Sequence, residues 1–428
     1  MDIFADADAT TLPELLGRLH ETMSAHTNGT SFRAKDLRSF LRLLAILSQG
    51  YDVVLMNPPY GSQTKMPKEV REYVKSKYKY VAEYFVNFFE VGDHLSKKQG
   101  RIGMLVPHSF MFNKSFEDFR QDFVGGRGSF EFLAEFGYGI LDNATVGTVG
   151  TVIRSGSGAH QEKGRFVRLS DVGKGKKEKI YANSILGGQN DPVKRYYERK
   201  ISDFQVIPGS PLSYWAPKDV RSLYNSSQVI DAQKGGMKER KSIGEVMTGV
   251  KTGNNSRFLR NFWEISNEWE RWVPHPKGGE DTWIMPRIKL IINWVNNGSE
   301  IYRYSGPTQG VKGTYFKSGI TFNIEKRSGR RFGYMNEHSI FAHKGTAIFS
   351  NVDTYSLIGY LNSRLATYLM LCQTAERTWS IGMVSKIPWR SGLVRLGIDK
   401  AVKSIMEKII SLRSSDFVSP YFAGPLLI

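Results

Sequence analysis

The chain has 428 residues, and 59 Lys and Arg against 41 Asp and Glu leave a formal charge of +18. This length suggests two or three domains, and 40 % hydrophobic with 12 % aromatic residues excludes a disordered chain. The single cysteine, Cys372, excludes an intramolecular disulfide framework and a Cys-based zinc site. No apolar run approaches the roughly 18 residues of a membrane span. The start, MDIFADADAT, lacks the basic and apolar parts of a signal peptide, so a reducing cytoplasm is the expected compartment.

In chain order, the first 50 residues read as helical. Leu15, Leu16 and Leu19 form one apolar stripe, and Leu37, Phe40, Leu41, Leu44 and Leu47 form another. YDVVLM, residues 51 to 56, is a short β-branched run stopped by Asn57-Pro58-Pro59; prolines donate no ladder hydrogen bond. Residues 79 to 95 have helical spacing, RIGMLVP (101 to 107) reads as a strand and 115 to 124 as a helix. FEFLAEF and TVGTVGTVI read as strands. Alternating strands and helices predict an α/β sheet up to about residue 155.

A polar Gly, Ser and Lys-rich stretch, 154 to 182, is taken as the domain boundary. Beyond it short Trp, Tyr and Gly-rich segments predict an irregular α+β domain, with late helices at 354 to 372 and 398 to 413. The expected organisation is therefore a helical segment 1–50, an α/β part 51–155 and a basic part 156–428.

Charge follows this division. Residues 1 to 150 carry 17 Lys and Arg against 18 Asp and Glu, whereas the remainder carries 42 against 23. A basic part dense in Trp, Tyr, Asn and Gly suits nucleic acid: cations hold phosphates, and amides or rings meet bases.

Asn57-Pro58-Pro59-Tyr60 is the most informative segment. An aromatic exocyclic amine is a poor nucleophile because its lone pair is delocalised into the ring. The Asn57 carboxamide oxygen and the Pro58 carbonyl can each accept one of its N–H bonds, drawing the nitrogen towards tetrahedral geometry. Tyr60 offers a ring face for a planar base, which must first be rotated out of a duplex. The alternative is a plain strand-ending turn.

YDVVLMNPPYGS resembles motif IV of the γ-class, amino-specific adenine-N6 DNA methyltransferases. The resemblance assigns the adenine amine to Asn57 and Pro58, within the catalytic run Asn57, Pro58, Pro59 and Tyr60, and base stacking to Tyr60. Residues 78 to 111 follow the family order, and so does FGYGILDNATVGTVGTVI. Many relatives place a second stacking Phe in that last stretch; here Leu141 stands nearest, with Tyr138 three residues earlier. TGVKTGNNSRFLRNFWEI (248 to 265), WVPHPKGGED (272 to 281) and IINW (291 to 294) resemble the methyltransferase of BREX phage-defence systems, the PglX type. GITFNIE (319 to 325), YLNSRLATYLM and IGMVSKIPW (381 to 389) fit the target-recognition part of those enzymes and of type IIG restriction-modification enzymes. The implied fold is a partial Rossmann-like methyltransferase sheet at 51–155, followed by an irregular α+β target-recognition domain at 156–428.

The family uses S-adenosylmethionine, normally held by a Gly-rich turn and an acidic residue upstream of motif IV. Only Gly17, Gly29 and Gly50 precede the motif here, with no Gly-x-Gly arrangement. The chain therefore reads as a carboxy-terminal part or split subunit, with the cofactor held mainly by an upstream polypeptide. Duplex DNA, that polypeptide and other defence-system components are the expected partners; no membrane contact is expected.

Lys251, Asn254, Asn255 and Arg257 in a Gly-punctuated loop, with Lys277 beside Gly278-Gly279, are candidate DNA contacts. The run Lys174 to Lys179 reads as a solvated loop. Trp263, Trp269, Trp272 and Trp294 read as core, and His108 as structural. Eight scattered histidines show no metal-ligand spacing, and no GxxxxGK[ST] phosphate loop occurs. Two other readings remain open: a non-catalytic DNA-binding specificity subunit, and a protein-glutamine methyltransferase, which shares the NPPY run.

Overall fold

A computed structural model describes residues 12–26, 32–141, 146–156, 163–190, 193–266, 269–278, 283–305, 314–325, 331–374, 378–390, 397–416 and 418–421. The chain forms two compact units, Met1–Gln205 and Val206–Ile428. The fold is mixed α/β.

In the first unit, α1 (Leu12–His26) and α2 (Phe32–Leu47) precede β1 (Tyr51–Met56). Next come α3 (Lys68–Lys77), α4 (Tyr84–Leu95) and β2 (Ser96–Pro107). β3 (Gly128–Gly137), β4 (Thr148–Ser155), β5 (Lys163–Arg168), α5 (Lys177–Gly187) and β6 (Tyr196–Lys200) complete it. The strands make one six-stranded sheet in the order β1-β2-β4-β3-β5-β6. β1 and β2 are parallel, as are β3 and β5, while β2–β4, β3–β4 and β5–β6 are antiparallel. The sheet is therefore mixed, and it runs past residue 155. The polar stretch read as a domain boundary lies inside the first unit, because β5 pairs with β3.

Two local forms differ from the sequence reading. The helix expected at 115 to 124 is a 3-10 turn, Lys114–Phe116, followed by a π-helical segment, Phe119–Arg127. Aromatic packing decides this: Phe119 and Phe123 stack at 5.2 Å, and Phe119 also meets Phe89 at 5.0 Å. The lysine run is solvated only in part: Lys174, Lys176 and Lys179 are exposed, on a 3-10 turn and the first turn of a helix. Lys177 begins α5 and is buried, its Nζ donating to the carbonyls of Phe136 and Tyr138. Burial lowers its pKa.

α4 covers one face of the sheet. Gly92 permits this, since a Cβ there would lie 2.7 Å from Ile102. Phe85, Phe89, Phe110 and Phe130 fill the resulting core. On the opposite face Tyr181 of α5 packs on Phe132 and Phe136. Towards β1 that face is open among the described residues.

The second unit holds α6 (Lys218–Ser222), β7 (Gln228–Val229), β8 (Lys241–Ser242), β9 (Gly244–Met247), α7 (Asn255–Phe258) and β10 (Leu259–Asn261). β11 (Trp272–Pro274), β12 (Leu290–Asn293), α8 (Val295–Ser305), β13 (Gly319–Asn323), β14 (Phe332–Met335) and β15 (Gly345–Ser350) follow. α9 (Thr354–Leu361), α10 (Arg364–Gln373), α11 (Ile381–Ser385) and α12 (Ile398–Arg413) come last. Its main sheets are β10-β12-β11 and β14-β13-β15-β9. The single helix expected at 354 to 372 is two, because the Ser363 hydroxyl caps a new start on Ala366 N–H at 3.1 Å. Among the described residues no helix is long and apolar enough to cross a membrane.

His275 is fully buried against the Ile340 carbonyl, 2.6 Å from Nδ1, and burial pushes its pKa down from 6.5 to about 4. Between these values the unfolded chain binds the extra proton. The stabilisation is therefore complete above about pH 6.5 and is lost as pH falls towards 4, by up to about 3 kcal/mol. Urea midpoints should fall between pH 7 and pH 5, and His275→Gln should flatten that fall.

Candidate functional site

β1 is an edge strand that pairs with β2 alone among the described residues. Val54 and Met56 turn towards α4, whereas Val53 and Leu55 are 55 % and 77 % exposed on the other side. The strand stops at the prolines. Pro58 is buried, while Asn57 and Pro59 are exposed. The Tyr60 hydroxyl donates to the Leu105 carbonyl at 3.1 Å, and its ring meets Phe85 edge-on at 6.5 Å. Burial raises the Tyr60 pKa, so the group is a neutral hydrogen-bond donor at pH 7.

The loop beyond is pinned to the start of α4. Tyr84 N–H donates to the Gly61 carbonyl at 3.0 Å, and Gln63 N–H donates to Ala82 at 3.1 Å. Ser62 bridges Glu83, whose pKa burial raises. Asn57 is thus held between a proline-stopped strand and a tethered loop.

Strand directions bring other groups to the same end of the sheet. The ends of β1, β2 and β3 and the start of β4 lie together, since Pro107 and Gly137 both pair with Thr148. His108 follows β2, donating its backbone N–H to Gly147 at 2.8 Å. Its buried imidazole lies edge-on to Tyr138, 5.9 Å between centroids. Tyr138, 60 % exposed, is anchored through its carbonyl to Lys177 at 2.7 Å. Leu141 is half-buried in the turn beyond. The sequence reads His108, after Pro107 at a strand end, as structural, and its buried ring packs against Tyr138 and Gly147.

An open cavity of about 510 Å³ adjoins Asn57, lined by Leu55, Gly103, Phe132, Gly150 and Tyr181 among others. Its glycines serve the chain's own packing. A Cβ at Gly103 would lie 2.3 Å from Leu55, and one at Gly150 would lie 3.0 Å from Phe136. Among the described residues the lining contains no carboxylate. Among the described residues no group of three or more His, Cys, Asp or Glu could hold a metal ion.

The basic candidates lie in the second unit. Asn254 caps α7: its Oδ1 accepts from Arg257 N–H at 3.1 Å and from Ser256 Oγ at 2.8 Å. Asn255 accepts from Thr252 at 2.7 Å. Arg257 pairs with Glu300 of α8 and lies 5.6 Å over the Tyr304 ring. Lys251 is exposed and Lys277 half-buried. They flank one segment, because His343 N–H donates to Val250 and Ala342 N–H donates to Pro276. The two amides are therefore committed to local structure, and the lysines are brought to one neighbourhood. Trp294 is buried, Trp272 half-buried and Trp263 exposed beneath Lys289; the Trp269 side chain lies outside the described residues.

Residues 9–137 match the family model described as Eco57I restriction-modification methylase. The chain is 27 % identical over 389 residues to the adenine-specific methyltransferase PglX of Lacticaseibacillus casei (strain Zhang), covering 82 % of this chain and 30 % of the relative. It is 26 % identical over 401 residues to the adenine-specific methyltransferase BrxX of Escherichia coli O9:H4 (strain HS), covering 89 % and 31 %. The chain thus spans about a third of the length of the curated relatives it matches. The type IIL restriction-modification enzyme MmeI, solved in complex with DNA, shares the fold with a TM-score of 0.55 at 11 % identity, over 84 % of this chain and 49 % of that one.

Gly147 tests the packing behind this sheet end. A Cβ there would lie 2.6 Å from the buried His108 ring. Gly147→Ala should cost about 1–3 kcal/mol in thermal unfolding. Gly173→Ala, with nothing within 4 Å, should be near neutral.

Proposed function

We propose, for a chain that carries an Eco57I restriction-modification methylase domain and is homologous to the PglX and BrxX adenine-specific methyltransferases, that it forms the amine-binding and DNA-reading part of a site-specific adenine-N6 DNA methyltransferase. The observation that carries this reading is the Asn57 to Tyr60 segment at the end of β1, with Tyr60 tied to Leu105 beside an open cavity. In this reading an adenine is rotated out of the duplex. Asn57 Oδ1 and the Pro58 carbonyl accept its two N6–H bonds, and the Tyr60 ring supports one face. The half-domain is a partial Rossmann-like sheet, and the second unit with its basic surroundings is the target-recognition domain. Tyr138, braced by His108, is the nearer candidate for the second face; Leu141 is the other. Lys251 and Lys277 supply phosphate contacts, with Asn254, Asn255 and Arg257 shaping the loop between them and α8.

S-adenosylmethionine would supply the methyl group. The described residues around the cavity do not fit it by themselves: none offers a carboxylate for ribose hydroxyls, and the space at the glycines is filled by Leu55 and Phe136. The unpaired side of β1 and the exposed Val53 and Leu55 suit a further strand of a cofactor-binding segment, in the same polypeptide or a partner. In the BREX setting implied by residues 248 to 294, methylation would mark host DNA as self.

Methyl transfer from labelled cofactor to duplex DNA tests this. The isolated 428-residue chain should bind DNA without turnover, and addition of the cofactor-binding segment should restore activity. Asn57→Ala should then lower transfer by at least about a hundred-fold and leave DNA affinity within about twofold. Unchanged transfer in Asn57→Ala would remove the catalytic assignment and favour a non-catalytic specificity subunit.

A further inference from the structure

Three non-glycine residues with left-handed backbone converge on one pocket of the second unit. Asn296 (φ 49°, ψ 49°) and Asn297 (φ 54°, ψ 37°) precede Gly298 (φ 73°, ψ 18°) in the first turn of α8. Phe316, at φ 61°, lies across a pocket of about 460 Å³ from them. Asn accepts this conformation readily, but a Phe does so only where the surrounding packing holds it. Packing is visible at the Asn-Asn-Gly turn and at Tyr315, the residue before Phe316. A Cβ at Gly298 would lie 2.5 Å from the Trp294 ring, so this ring seats directly on the turn. Trp294 in turn meets Tyr302 at 6.0 Å and Tyr315 at 5.3 Å, and Tyr315 meets Phe341 at 5.2 Å.

What this braced turn presents is polar and unused. Asn296 and Asn297 are exposed, and neither carboxamide bonds to another described residue. Phe316 is 47 % exposed beside them. Among the described residues the pocket lining is uncharged, with neither Lys or Arg nor Asp or Glu, so it does not repel polyanionic DNA, and the exposed Lys317 follows Phe316. A carboxamide carries one acceptor and one donor group side by side, which matches the N6–H donor and N7 acceptor of adenine in the major groove. An exposed ring alongside matches the thymine methyl. The other end of α8 holds Arg257 through Glu300 and Tyr304, which ties the turn to the candidate phosphate-contacting loop.

We propose that the Asn296–Asn297 turn, with Phe316, reads the major-groove edge of an A·T base pair in the recognition sequence. This rests on the DNA-binding reading above and adds residues that determine which sequence is bound. The turn positions base contacts, while Lys251 and Lys277 give affinity to any sequence.

The test is selection from a duplex library with a randomised core, using the full chain and sequencing the retained fraction. Wild type should enrich a motif containing an A·T pair. Asn296→Asp and Asn297→Asp keep the shape and the left-handed tolerance but remove the amide donor. At least one of them should lose that single preference by about ten- to a hundred-fold while the other motif positions persist. Phe316→Leu, which keeps an apolar side chain, should weaken discrimination of thymine from uracil at the same pair. Unfolding midpoints of all variants confirm that the fold survives. Full retention of the motif in both Asp variants overturns the proposal, as does equal loss at every position. If wild type retains duplex without any sequence preference, the proposal fails and the DNA-binding reading stands. If wild type retains no duplex, both fail.

Discussion

Among the described residues β1 is hydrogen-bonded on one side only, and this is the constraint from which the first unit follows. β2 fixes its register from Val53 opposite Arg101 to Met56 opposite Met104, and two prolines then stop the ladder. That stop leaves Asn57 exposed at the sheet end, while the Tyr60 hydrogen bond to Leu105 returns the chain to β2. The remaining strands bring the ends of β2 and β3 alongside, so His108 and Tyr138 meet at the same level. Among the described residues the other side of β1 has no strand partner, and two exposed aliphatic side chains lie on its open face, a combination that favours strand addition.

Both units stabilise unusual backbone through aromatic packing. In the first, stacked Phe119 and Phe123 hold a π-helical segment against α4. In the second, Trp294 with two tyrosines holds a left-handed Asn-Asn-Gly turn. Arg331 follows the same logic in the core. Its guanidinium lies 3.7 Å over Trp379 and donates to the Asn323 carbonyl at 3.1 Å, while burial lowers its pKa to about 9. A buried cation persists there because its donors reach carbonyl oxygens and its flat face meets a π system.

Periodicity made the strands at 51 to 56 and 101 to 107 legible, together with the helix at 398 to 413, because each carries its apolar pattern in consecutive residues. It failed at 154 to 182. Gly, Ser and Lys there resemble a linker, yet Lys177 is buried by two carbonyls supplied from residues 136 and 138. It failed also at Asn362-Ser363, where hydrophobic spacing continues across a break made by a capping hydroxyl. In the basic part, amide-rich composition drew attention to Asn254 and Asn255, which the fold spends on capping and local bonds. Asn296 and Asn297 have the same composition and remain unspent.

The sequence alone determined the local chemistry: a proline-stopped strand bearing a carboxamide and a ring, no disulfide framework, and charge concentrated after residue 150. These properties depend on residue identity and short spacing, so no fold is needed to read them. Tertiary structure alone decided which side of β1 stays unpaired, that β5 and β6 extend the first sheet, and that His108 faces Tyr138. It also decided that Asn254 and Asn255 are spent on local hydrogen bonds. Those outcomes depend on partners distant in sequence, whose contacts are set by strand direction and ring packing.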